Sequence, residues 1–158
     1  MKIVFLDFDG PIIPIMSHEN KRGMGEKAWP SCIACLNRIT DITGAKIVIS
    51  SSWRWGNDGK DAIEFLKQWG ATGEVVGITP ILEEAWKPES KLWTAVPRGR
   101  EIQAWLDRNP DVESFVILDD DKDMEHLMPF LIHTPFETGL TESHTDRAIE
   151  ILQQEVTL

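Results

Sequence analysis

Three short apolar segments of the chain are each followed at once by polar side chains. They cover residues 2–9 (KIVFLDFD), 45–52 (AKIVISSS) and 115–121 (FVILDDD). Each segment is rich in β-branched or aromatic residues, is too short for a typical helix, and is apolar without alternation. This pattern is typical of strands that are buried on both faces of a parallel sheet. Two further short strands are predicted at residues 74–78 and 130–133.

Helical spacing of the apolar residues predicts four helices between and after these strands. Gly44 and Gly70 follow the first two helices directly and are typical stop signals. Strands that alternate with helices favour an α/β fold, with a central parallel sheet and helices on both faces. The 158 residues fit one domain over residues 1–158. The predicted helices are residues 31–43, 61–69, 100–108 and 142–155.

Charge and hydropathy narrow the classes of function. The formal net charge is −10, which argues against an extended nucleic-acid-binding surface, because such a surface needs a basic stripe. A bound cation would still allow one phosphate group to bind locally. No segment approaches the roughly 20 apolar residues of a membrane helix, and the apolar start is too short for a secretory signal. A cytoplasmic protein is therefore expected.

The two cysteines of the chain, Cys32 and Cys35, form a single Cys-x-x-Cys pattern. A redox pair and half of a zinc site are the two functional interpretations. Zinc would need two further ligands, and no histidine or other cysteine lies at a suitable spacing nearby. The favoured interpretation is two small apolar residues one helical turn apart.

The polar residues that follow the three strands predict a functional site. The carboxyl ends of parallel strands form the ligand crevice of an open sheet. Asp7 and Asp9 follow the first strand, Ser50 to Ser52 the second, and Asp119 to Asp121 the third. Two carboxylates about 4 Å apart repel by up to about 4 kcal/mol at an effective dielectric near 20. A divalent cation relieves this repulsion, and a set of oxygen ligands suits Mg²⁺ better than zinc.

These residue types also predict a reaction. One of two carboxylates two positions apart can attack phosphorus while it binds the metal. The other can protonate the leaving oxygen and then deprotonate the water that hydrolyses the acyl phosphate. Serine hydroxyls can donate to the phosphoryl oxygens. In the alternative interpretation, the acids and serines lie in solvated loops and only cap helices.

The same positions resemble the motifs of a known family. Asp7-Phe8-Asp9-Gly10, the serines after residues 46–49, and Asp119-Asp120 resemble motifs one, two and four of the haloacid dehalogenase-like (HAD) phosphatases. The resemblance spans nearly the whole chain. It implies a Rossmann-like HAD fold with a minimal cap, because neither residues 11–44 nor residues 55–97 leave room for a large cap domain.

Three phrases are similar to a narrower branch of that family. They are residues 49–54 (ISSSWR), 98–106 (RGREIQAWL) and 117–121 (ILDDD). This branch is the HAD domain of RNA-repair proteins, akin to the 3′-phosphatase half of polynucleotide kinase-phosphatases. The similarity implies a substrate with a phosphorylated nucleic-acid end.

The family resemblance implies roles for the acidic residues. Asp7 is implied as the nucleophile and Asp9 as the general acid and base. Mg²⁺ is implied to bind Asp7, the main-chain carbonyl of Asp9, and Asp119 or Asp120. Pro11 stands where the family usually has threonine or valine, which changes the turn without removing a catalytic group.

Motifs two and three leave alternatives open. The motif-two serine is Ser50 or Ser51, and the spacing from Gly44 favours Ser51. Motif three normally supplies a lysine, but the helix before residue 115 contains none. Arg98 is the candidate for this role, because arginine can clamp a phosphate through two N–H groups. Arg100 and Lys91 are the alternatives for this role. In the purely structural interpretation, Arg98 is only an exposed arginine near the start of a helix.

The residues after motif two are candidates for substrate binding. Ser50 and Ser52 are expected to contact the phosphate, whereas Trp53 and Arg54 are expected at the crevice lip. There, Trp53 and Arg54 would stack on a base, although core packing is the usual role of tryptophan. The polar segment 18–22 is interpreted as a solvated loop, with a flap over the site as the alternative.

The sequence thus favours a Mg²⁺-dependent phosphomonoesterase that forms an aspartyl-phosphate intermediate and acts on nucleic-acid 3′-phosphate ends. A phosphatase of free nucleotides or of another small phosphorylated metabolite is the second hypothesis. The third is a metal-bound interaction module without catalysis, which would keep its function after loss of Asp7.

Overall fold

Five parallel strands form the central sheet, in the order β3-β2-β1-β6-β7. The computed structural model describes residues 1–14, 27–82, 85–87, 92–94 and 96–154. A separate antiparallel pair, β4 and β5, lies in the sequence between β3 and the third helix. The strands are β1 (Lys2–Leu6), β2 (Lys46–Ile49), β3 (Val75–Ile78), β4 (Ala85–Lys87), β5 (Leu92–Thr94), β6 (Ser114–Asp119) and β7 (Leu131–His133).

Helices cover both faces of this sheet, as an α/β fold requires. Side chains of β1 alternate between the two faces: Val4 and Leu6 join the core with α1, α2 and α4, whereas Ile3 and Phe5 join the core with α3. All four of these side chains are fully buried. The helices are α1 (Pro30–Thr43), α2 (Lys60–Gln68), α3 (Arg98–Asp107) and α4 (Glu142–Gln153).

The structure confirms the predicted α/β fold with a central parallel sheet, and it corrects the strand ends. The segments predicted as strands to residues 9 and 52 leave the sheet at Leu6 and Ile49. A tight loop follows β1 at once, with Ile13 N–H donating to the Phe8 carbonyl at 2.9 Å and Gly10 at a φ of 105°. Because the strands stop early, the polar residues after them lie at the rim of the sheet.

The antiparallel pair β4–β5 was not predicted from the sequence. Strands of three residues are too short for a periodic pattern to reveal. The segment 18–22 and Lys91 lie outside the described residues. Within the described part of the chain, no helix combines the length and the hydropathy that crossing a bilayer requires.

Candidate functional site

Four polar side chains form one row across the rim of the sheet. The strand register pairs Phe5 of β1 with Ile117 of β6 and with Val48 of β2. Two residues further along the chain from these three, Asp7, Asp119 and Ser50 therefore stand side by side on the face that α3 covers. The row continues to Thr79 after β3, because Val48 pairs with Gly77. The predicted convergence of strand ends is thus present.

Three carboxylates of this rim form a compact cluster. Oxygen atoms of Asp7, Asp119 and Asp120 all lie within 4.8 Å of one another. Asp119 is fully buried and Asp7 is 6% exposed. Asp120 lies so close to Gly10 that a Cβ atom added to Gly10 would stand 2.7 Å from the Cβ atom of Asp120. A glycine at position 10 is therefore required for this cluster to form.

The electrostatics of the cluster favour a bound cation. Burial raises the pKa of Asp7 and, together with the neighbouring charge of Asp7, raises the pKa of Asp119. Among the described residues, Arg98 is the cation that contacts this cluster, so one positive charge faces three carboxylates. The donors are hard oxygen atoms, so the residues present fit Mg²⁺.

Arg98 contacts two members of the cluster. It is the first residue of α3, and its Nη1 lies 2.9 Å from Asp7 Oδ1 and 3.4 Å from Asp119 Oδ2. The alternative Arg100 pairs instead with Glu125 at 3.0 Å and is exposed. Among the arginines that the structure describes, Arg98 is therefore the one whose side chain contacts the carboxylate cluster.

The start of α3 is anchored to the segment that follows β6. The main-chain N–H of Arg98 donates to Asp123 Oδ2 at 2.9 Å, and that of Gly99 donates to the Asp123 carbonyl at 3.0 Å. A Cβ atom at Gly99 would lie only 2.3 Å from the Met124 carbonyl oxygen. This close approach fixes the helix start, and with it Arg98, relative to Asp119 and Asp120.

Asp9 lies outside the carboxylate cluster and is held by an aromatic residue. The indole Nε1 of Trp53 donates to Asp9 Oδ2 at 3.0 Å. Trp53 is half-buried and packs edge-on against Phe65 and Trp69, and at a tilt against Phe8. The structure thus places the Trp53 ring in an aromatic cluster, with its N–H directed to Asp9.

The three serines after β2 have different surroundings. Ser50 Oγ is fully buried and has no hydrogen-bond partner among the residues that the structure describes. Ser51 is also buried, and its Oγ accepts the main-chain N–H of Trp53 at 3.2 Å. Ser52 is exposed at the start of the next turn. Ser50 is the serine beside Asp7 in the row, whereas Ser51 begins the turn that carries Trp53.

Arg54 requires a correction, because the sequence suggested a stacking surface at the crevice lip. Its side chain is 2% exposed and forms an ion pair with Glu101 at 2.9 Å. The same guanidinium group also donates to main-chain carbonyl groups at the ends of β2 and β3. With its N–H groups engaged in this way, Arg54 ties the strand ends together and has no face available to a base. The carbonyl acceptors are those of Ser50, Ser51, Thr79 and Pro80.

The structure supports the structural interpretation of the two cysteines. Cys32 and Cys35 are free thiols on α1, and both side chains are buried in the core. The acidic cluster is the one group of potential metal ligands found among the described residues.

Sequence reasoning missed the positioning roles of three residues. Gly10 was noted only as part of a motif, and Asp123 was not considered. Trp53 was assigned to the substrate instead of to Asp9. The close spacing of aspartates and glycines is the sequence signal for the first two, but no sequence pattern indicates where an indole N–H points.

Comparisons with known proteins agree with the resemblance seen in the sequence. Residues 3–145 match the family model described as the HAD domain in Swiss Army Knife RNA repair proteins. No curated protein and no solved structure gives a significant match. The match covers the sheet, Arg98 and the carboxylate cluster, so the chain belongs to the HAD domain family of Swiss Army Knife RNA repair proteins.

Proposed function

We propose that this protein is a Mg²⁺-dependent phosphomonoesterase that acts on phosphorylated nucleic-acid ends. One observation carries the proposal: buried Asp7 and Asp119 form a cluster with half-buried Asp120, and Arg98 contacts Asp7. A carboxylate that attacks a phosphate as a nucleophile needs positive charge beside it, because both reactants are anions. Family membership supports phosphatase chemistry. The cytoplasmic location stays a prediction.

The proposed reaction has two steps at the chain's own residues. In the first, an Asp7 carboxylate oxygen bonds to phosphorus while the bond to the leaving oxygen breaks, and Asp9 gives its proton to that oxygen. In the second, water attacks phosphorus and gives a proton to Asp9, while the bond between phosphorus and the Asp7 oxygen breaks. Phosphate is released and the Asp7 carboxylate is restored. Arg98 holds a phosphoryl oxygen and orients Asp7 throughout.

Mg²⁺ would be held by Asp7, by Asp119 or Asp120, and by the main-chain carbonyl of Asp9. When bound, it neutralises charge on the phosphoryl oxygens. The chain's contribution is to hold these oxygen donors together in a buried site, through the parallel register of β1 and β6 and the glycine at position 10.

A substrate panel tests the proposal. Oligoribonucleotides of one sequence that carry a 3′-phosphate, a 5′-phosphate or no phosphate are compared with mononucleotides and sugar phosphates in the presence of Mg²⁺. We expect the 3′-phosphorylated end to give the highest kcat/KM. A preference for mononucleotides over every oligonucleotide end would contradict the nucleic-acid assignment but leave the phosphatase chemistry intact.

A small phosphorylated metabolite is the second candidate substrate. The observation in its favour is the net charge of −10, together with exposed Asp121 and Asp123 beside the site. Such charge repels a long polyanion more strongly than a small one. The same substrate panel separates the two candidates.

The hydroxyl of Ser51 is proposed as the phosphate donor of motif two. Because Ser51 Oγ accepts the Trp53 N–H, its own proton remains free for a phosphoryl oxygen. We expect Ser51→Ala to lower kcat/KM by about tenfold to a hundredfold, the effect of one lost hydrogen bond to a charged group. Ser50→Ala, measured in parallel, should have the smaller effect of the two. If Ser50→Ala had the larger effect, the role would belong to Ser50.

Mg²⁺ should stabilise the folded protein, because it binds the native cluster and relieves repulsion there. At a concentration a hundred times its Kd, the gain is about 2.7 kcal/mol, or roughly 5–10 °C in Tm for a chain of this size. Differential scanning calorimetry with and without Mg²⁺ measures the gain. Asp120→Asn should reduce it, whereas Asp111→Asn, an exposed control before β6, should keep it. An equal gain in all three proteins would contradict the proposed metal site.

A further inference from the structure

Three separate contacts fix the position of the Trp53 indole. Its main-chain N–H donates to Ser51 Oγ at 3.2 Å. Its ring lies in the aromatic cluster, with ring centroids 5.6 Å from Phe8, 5.6 Å from Trp69 and 5.8 Å from Phe65. Its Nε1 donates to Asp9 Oδ2 at 3.0 Å. The indole is therefore a donor that cannot move away without disrupting the packing around it.

This donor makes the two oxygen atoms of Asp9 different. An indole nitrogen carries one hydrogen and can only donate, so Asp9 Oδ2 must act as an acceptor. Oδ1 is the oxygen that does not receive this hydrogen bond, so it is the better placed of the two to exchange a proton. The carboxyl group of Asp9 does not belong to the cluster formed by Asp7, Asp119 and Asp120. This agrees with Trp53 holding the Oδ2 atom of Asp9 away from that cluster.

We propose that Trp53 is a positioning residue, which fixes the Asp9 carboxyl group so that Oδ1 alone exchanges protons with the substrate. This inference rests on the proposed function, because it assumes that Asp9 is the general acid and base. In the first step the Oδ1 proton moves to the leaving oxygen as its bond to phosphorus breaks, and Asp9 becomes a carboxylate. In the second step Oδ1 takes a proton from the attacking water.

A purely structural role for Trp53 makes different predictions. Trp69 belongs to the same aromatic cluster and is also half-buried. A Trp→Phe substitution at either position removes a similar amount of packing. Of these two tryptophans, Trp53 is the one that contacts Asp9, so Trp69→Phe is the matched control for Trp53→Phe.

The dependence on the leaving group separates positioning from packing. An alkoxide leaving group needs a proton, whereas a p-nitrophenolate leaves without one. We expect Trp53→Phe to lower kcat/KM about tenfold to a hundredfold for a 3′-phosphorylated oligonucleotide or an alkyl phosphate, since poorly placed general acids lose much of a contribution of about 10²–10⁴. For p-nitrophenyl phosphate the loss should stay below about threefold, and Trp69→Phe should treat both classes alike.

A spectroscopic measurement tests the contact itself, without turnover. In protein labelled with ¹⁵N-tryptophan, the Trp53 indole resonance is the one that Trp53→Phe removes. We expect Asp9→Ala to move this resonance upfield by more than the other indole resonances. An unchanged Trp53 resonance would overturn the proposal.

The kinetic outcomes distinguish the two levels of inference. If wild-type protein hydrolyses both substrate classes but Trp53→Phe lowers both rates equally, or matches Trp69→Phe, the positioning role is wrong and the proposed function stands. If wild-type protein hydrolyses neither class with Mg²⁺, the proposed function fails and the role of Trp53 fails with it.

Discussion

Asp7→Asn is expected to abolish turnover while the protein stays folded. An amide cannot form the acyl phosphate, so kcat/KM for p-nitrophenyl phosphate should fall by a factor on the order of 10⁴ or more, as for other lost nucleophiles. The shape of the side chain is retained, and one charge is removed from a buried cluster in which burial already raises the pKa of Asp7. Tm should therefore change by only a few degrees. A steady-state assay and a thermal melt measure the two effects.

The result for Asp7→Asn separates an enzyme from a binding module. A metal-bound module without catalysis would keep its function in this variant. Asp111→Asn is the matched control, because Asp111 is exposed and lies before the amino end of β6, whereas the site lies at the carboxyl ends of the strands. We also expect beryllium fluoride to inhibit the wild-type protein by binding at Asp7. Substantial turnover in Asp7→Asn would contradict the covalent mechanism.

Among the substitutions considered, Arg54→Ala is expected to lower the free energy of unfolding the most. Arg54 is 2% exposed and pairs with Glu101, whose side chain is 11% exposed. Removing one partner leaves the other charge buried and unpaired, which costs about 3–5 kcal/mol. The carbonyl groups of Ser51 and Thr79, at the ends of β2 and β3, also lose their hydrogen bonds from the guanidinium group. The free energy of unfolding, measured by urea denaturation, should fall by at least this amount, and Tm by roughly 6–20 °C.

Arg100→Ala is the matched control for Arg54→Ala. Arg100 lies on the same helix as Glu101 and pairs with Glu125, but the two side chains are 61% and 37% exposed. An exposed pair of this kind contributes about 0–1 kcal/mol. If Arg54→Ala does not fold, Arg54→Lys keeps the charge but not the planar fork, and it should be destabilised to a measurable, smaller extent. A loss in Arg54→Ala no larger than that in Arg100→Ala would contradict the role of Arg54 in the sheet rim.

The sequence determined the sheet and the convergence of its acidic residues. Fully buried parallel strands leave continuous apolar segments, and their carboxyl ends must meet at one edge. For this reason the neighbourhood of Asp7 and Asp119 was predictable although 112 positions separate them in the chain, counting from 7 to 119. The α/β class and the family followed from the same segments.

The tertiary structure decided which side chains point into the site. Trp53 and Arg54 follow the same strand, yet one holds Asp9 and the other is buried against Glu101. Both lie in an irregular turn, where no periodicity fixes the direction of a side chain. The choice of Arg98 over Arg100 likewise depends on how α3 docks against Asp123. Strand periodicity is a local property that a sequence carries, whereas the aim of a side chain beyond the strand depends on packing between distant segments.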